Sequence, residues 1–147
     1  MKSEIRHSIS LTLVLCALGT GPAAADKKPC NQKAAMDAES ATDGLKTWNS
    51  VYRFYEQFSH CDDGGIAEGV SDSVAKLFAN RWDSFSEFVK LASNDKGFEN
   101  FVVRHLDETI DWAGDAPKIR ENARLHCPAD SGRLCKILTA KTARRGR

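Results

Sequence analysis

Four cysteines are left in this chain once an apolar leader is set aside: Cys30, Cys61, Cys127 and Cys135. In an oxidising compartment an even set pairs into disulfides, and four cysteines allow three pairings. The favoured one joins Cys127 to Cys135, closing a short loop around Pro128 and Gly132, and Cys30 to Cys61, tying a poorly periodic N-terminal stretch onto the body. Each bridge is worth about 2–4 kcal/mol, mainly by restricting the unfolded chain.

The leader is read from three features. Lys2, Arg6 and His7 make a weakly basic start, diluted by Glu4, and residues 9–18 form an apolar run. That run is about half the length a spanning helix requires, roughly 20 residues. Ala23, Ala24 and Ala25 then offer small residues for cleavage before Asp26, the pattern of a secretory signal over 1–25. Cys16 stands inside the apolar run behind Leu15, not after it and behind a small residue as lipidation requires. The expectation is a protein of residues 26–147 in an oxidising space, most simply a bacterial periplasm, with no membrane span.

Charge narrows the partners. The formal net charge is +1, without the basic surplus of a nucleic-acid binder. The total hides unlike parts: residues 26–135 carry 14 basic and 19 acidic groups, while residues 136–147 carry five basic groups and no acid. An acidic body is poorly suited to nucleic acid and steers basic partners toward it.

The pattern beyond the leader is all-α: a compact bundle of about five to six helices stapled by two disulfides. Leu45, Trp48, Tyr52, Tyr55 and Phe58 recur at helical spacing and predict a helix over 44–59, capped by Asp43. A second is predicted from an Asp62 cap to 80, with Ile66, Val70, Val74, Leu77 and Phe78 inward. Its small residues Gly64, Gly65, Ala67, Gly69 and Ser71 lower helix propensity but permit another helix or chain to approach closely. Further helices are predicted over 84–93, 96–110, 115–126 and 131–138. Residues 32–42 read as weakly helical at best. The expected organisation is a segment 26–43 tied by Cys30, a helical domain over 44–138 and a flexible basic tail over 139–147.

Catalytic signatures are missing. No GxSxG, HExxH or phosphate-cradling glycine motif is present, and no cofactor motif. His60-Cys61 and His126-Cys127 lack the usual metal-ligand spacings. Glu68 and Asp72 lie one turn apart on one helix face, and Asp107, Glu108 and Asp111 form a second acidic group. Either is an acid pair in principle and a solvated helix face in the simpler reading.

One segment is distinctive: Cys61-Asp62-Asp63-Gly64-Gly65-Ile66-Ala67-Glu68-Gly69-Val70-Ser71-Asp72-Ser73. Together with Trp82, the run from Phe98 to His105, and Cys127-Pro128 with Cys135, it resembles the type VI secretion amidase-effector immunity family over about residues 48–135. Val70 stands where that family more often has an aromatic residue. The resemblance implies a small, helical, disulfide-bonded periplasmic homodimer that is not an enzyme. It implies binding to a secreted papain-like Cys–His amidase of peptidoglycan, whose active site is covered by a protruding inter-helix loop. The stretch here most like that loop is Ser93, Asn94, Asp95, Lys96 and Gly97, and Glu68 and Asp72 become candidates for a dimer or effector contact. The competing expectation is a periplasmic stress chaperone or envelope binding module.

Overall fold

The computed structural model describes residues 28–106 and 114–143. Among them are seven α-helices and no strand: α1 Gln32–Thr42, α2 Trp48–Phe58, α3 Gly64–Asn80, α4 Phe85–Asn94, α5 Lys96–Arg104, α6 Asp115–Leu125 and α7 Gly132–Ala143. Short 3-10 turns, Ser59–Cys61, Trp82–Ser84 and Ala129–Ser131, precede α3, α4 and α7. No helix of the described residues is long and apolar enough to cross a membrane. The leader, with Cys16, lies outside the described residues, as does the group Asp107, Glu108 and Asp111.

Both favoured disulfides are formed, Cys30–Cys61 and Cys127–Cys135. They suit an oxidising compartment. They also engage the cysteines of both His-Cys pairs, which removes those sulfurs as metal ligands.

Trp48 is the centre of the core. It is fully buried and packs against Phe78 of α3 at 4.6 Å and Phe88 of α4 at 4.8 Å between ring centroids. The rest of the α2 stripe follows the sequence pattern: Val51 and Phe54 are buried, while Tyr52, Tyr55 and Phe58 are partly buried against the same cluster. At the other end Trp82 stacks on Phe85 at 4.3 Å and donates from Nε1 to the His126 carbonyl at 2.9 Å. That contact fixes the end of α6 against the α3–α4 turn.

Four expectations about the extent of helices need correction. Residues 32–42 are a full helix, α1, capped by Asn31, whose side chain accepts from the Ala34 amide at 2.9 Å. Its inward face is alanine, with Ala38 fully buried and Ala34 and Ala41 packed on the core. Alanine gives little hydrophobic contrast yet is the best helix former. Helix α2 starts at Trp48, not 44, because Thr47 supplies a capping box with Ser50. Helix α5 ends at Arg104, short of 110, with His105 as its C-cap. The supposed flexible tail is helical to Ala143, where Thr142 is buried and donates to the Leu138 carbonyl at 2.8 Å.

One glycine of α3, Gly69, meets a partner within the chain, whereas Gly64 and Gly65 face open space. A Cβ on Gly69 would lie 3.0–3.2 Å from side-chain atoms of Thr42, so its absence lets α1 close against α3.

Candidate functional site

Helix α5 joins two polar features, one at each end. At its N-terminal end, α4 runs through Asn94 and α5 begins at Lys96, so Asp95 alone separates them. The expected protruding loop is therefore a tight helix junction. Asp95 Oδ1 accepts from the Phe98 amide at 3.0 Å, and the Tyr52 hydroxyl reaches Asp95 Oδ2 at 3.4 Å. Ser93 Oγ and Asn94 Nδ2 donate back to the Lys90 carbonyl at 2.8 and 3.0 Å. Ser93, Asn94 and Lys96 are exposed on this edge, whereas Asp95 is partly covered.

Behind the edge lies a buried carboxylate, Glu99. It accepts from Arg133 of α7 through both oxygens and also pairs with Lys96. The two Arg133 hydrogen bonds hold the Glu99 carboxyl below its usual range; burial works against them, and Lys96 adds to the lowering. Below the junction, burial first, then the charges of Glu56 and Asp95, push the hydroxyls of Tyr52 and Tyr55 above their ordinary values.

At the C-terminal end of α5 a recess of about 370 Å³ opens against the start of α3. Asp62, Asp63, Glu68, Ser71, Arg104 and His105 line it. The expected cap residue is displaced by one position: Asp63, not Asp62, caps α3, accepting from the Gly64 amide at 2.8 Å. Asp62 turns inward instead, and its side chain is only 3% exposed. Its Oδ2 pairs with Arg104 and lies 3.2 Å from His105 Nε2. That last approach is an ion-pair distance, and Nε2 has no hydrogen-bond partner among the described residues. Burial pushes the Asp62 carboxyl up; contact with His105 and the charges of His105 and Arg104 outweigh it, so the group stays below the usual carboxylate value.

Ser71 completes a buried Ser–His–Asp line. Its Oγ lies 2.8 Å from His105 Nδ1 and donates to the Ala67 carbonyl at 2.8 Å. A serine nucleophile passes its proton to the imidazole. Here the Ser71 hydroxyl is equally close to the Ala67 carbonyl of its own helix and to His105 Nδ1, and so bridges α3 and the His105 ring.

Of the sequence candidates, Glu68 lines this recess and is exposed, whereas Asp72, one turn later, pairs with Lys76 at 2.6 Å and borders a different groove with Leu45, Lys46 and Asp115. The structure does not bring these two acids into one site. Ser93, Asn94, Asp95 and Lys96 are together at the other end of α5. Sequence reasoning missed Arg104, Glu99 and Arg133, and met His105 as the end of the run from Phe98. The usable signal was the spacing of Lys96, Asn100 and Arg104, four residues apart and all exposed, which marks one solvent face along α5.

Set against protein-family models, curated proteins and solved structures, the chain matches none.

Proposed function

We propose that this chain is a non-catalytic periplasmic immunity protein that binds a type VI-secreted peptidoglycan amidase and occludes its active site. The sequence resemblance over residues 61–73, 98–105 and 127–135 suggests the reading. The α4–α5 junction is the observation that supports it best. Ser93, Asn94 and Lys96 stand exposed on a turn already fixed by the Asp95 cap, by Tyr52 beneath it and by the Glu99–Arg133 pair behind it. An edge ordered before binding enters a cleft at little further entropic cost. Tightness, not protrusion, is then the working feature of this element. Homodimerisation, with Asp72 and the exposed side of α3 as contact candidates, belongs to the same proposal.

The test is inhibition. The oxidised protein, mixed with a papain-like peptidoglycan amidase from a neighbouring locus where one is encoded, should form a stable complex and stop cleavage of peptidoglycan cross-links. Neither complex nor inhibition would sink the reading. Suppressed aggregation of unrelated clients in its place would favour the chaperone.

A further inference from the structure

The recess between α3 and α5 is short of positive charge. We infer that it receives the side chain of a lysine or arginine from a protein partner. Its floor is Asp62, buried except for 3% of its side chain. Asp62 Oδ2 is engaged by Arg104, but Oδ1 has no hydrogen-bond partner among the described residues. A buried carboxylate oxygen without a donor is costly, and an entering N–H group relieves that cost.

The rim adds Asp63 and Glu68. Glu68 is exposed and meets no cation among the described residues, whereas Asp72 and Glu99 are each paired. Against the three carboxylates stand Arg104 and His105, so the recess stays negative even with the imidazole charged. Its volume lies near the lower end of ligand sites, roughly 300–1,000 Å³, enough for one basic side chain. Arg104 reaches in from the solvent side: its side chain is 63% exposed, and its guanidinium lies 5.6 Å from the Phe101 ring centre. An incoming ammonium or guanidinium competes with it for Asp62 and is met on the outside by Glu68. That the donor belongs to the amidase rests on the immunity reading; the preference of the recess for a cation does not.

The probes are the blocked tripeptides acetyl-Gly-Lys-Gly-amide and acetyl-Gly-Arg-Gly-amide, with acetyl-Gly-Gln-Gly-amide as the neutral control. They are titrated into the oxidised full chain, followed by NMR at the Glu68, Ser71 and Arg104 amides and the His105 ring. A basic tripeptide should shift these signals saturably and the neutral one should not. Glu68→Gln, a surface change that leaves the fold intact, should weaken binding about fivefold, the worth of one surface ion pair. Arg104→Gln, which removes the competing cation, should tighten it. Equal shifts from the neutral peptide, no saturable shift from either basic one, or unchanged binding by Glu68→Gln would overturn the inference. Amidase inhibition without peptide binding would reject the recess and leave the immunity reading standing. Peptide binding without inhibition would do the reverse.

Discussion

The Tyr55 hydroxyl occupies the space where a side chain on Gly97 would begin. A Cβ built there falls well under 3.0 Å from that oxygen, closer than real Cβ atoms come. Tyr55 in turn packs on Phe98 and Phe101 at 5.6 and 5.3 Å between ring centroids, so the ring cannot simply slide away. Helix α5 therefore starts where α2 allows it to.

Gly97→Ala should destabilise the protein by about 1–3 kcal/mol through overpacking. Removing the obstructing hydroxyl with Tyr55→Phe should recover part of the loss, because the next nearest ring atom is 3.5 Å from the new methyl while Asp95 Oδ1 stays close at 3.1 Å. Urea denaturation of the two single variants and the double variant measures this coupling. Additive losses would show that the two sites do not interfere.

Asp95→Ala removes both the α5 cap and the contact with Tyr52. A loss of about 1 kcal/mol is expected from the cap alone. Ser93→Ala and Asn94→Ala remove only hydrogen bonds to the exposed Lys90 carbonyl, which water replaces, and should leave thermal stability nearly unchanged. Inhibition lost in the two alanine variants at unchanged Tm would place those side chains in the contact. Inhibition lost only with Asp95→Ala, alongside the Tm, would assign the edge a structural role.

Acid should loosen the fold through Glu99 and Asp62, both held below the ordinary carboxylate range. The unfolded chain binds protons at these groups more readily than the folded one, so stability rises with pH across the gap. The contribution is complete above the ordinary values, about 4. It disappears as pH falls through the lowered folded values. Thermal unfolding from pH 7 to pH 2 should show that drop. Glu99→Gln should cost about 2 kcal/mol at neutral pH, the worth of hydrogen bonds to a charged group, and shrink the acid-dependent part.

The two disulfides should contribute unequally. Cys30 and Cys61 are 31 residues apart and Cys127 and Cys135 are eight apart. Loop-closure entropy then gives about 4 kcal/mol for the first and about 2.5 for the second. Paired serine replacements, compared by guanidinium denaturation, measure both; a larger loss from the shorter loop would show that entropy does not set the order.

What was legible in the sequence was whatever rests on contrast between large apolar and polar residues. The Trp48 stripe, the α3 and α4 faces and the all-helical class follow from it, and cysteine parity supplied the bridges. Helix α1 was hidden because an alanine face has little contrast, and α7 was cut short because its basic residues mask the burial of Thr142. The site was less legible for another reason. Asp62 and Asp63 are chemically identical neighbours, and only the turn after Cys61 decides which caps and which is buried. Glu99 and Arg133 are 34 residues apart, a pairing no local pattern announces.

The solvent face of α5 carries a further consequence. Lys96 and Arg104 are eight residues apart on one rigid helix, which sets a rise of about 12 Å between its two polar ends. On the proposed reading the junction at one end and the recess at the other meet the same partner, and two weak ionic contacts held at that fixed separation act as a gauge. A partner with the right charges at the wrong spacing engages one end and forfeits the other. Discrimination among similar partners can then come from length, with no change in the chemistry at either end.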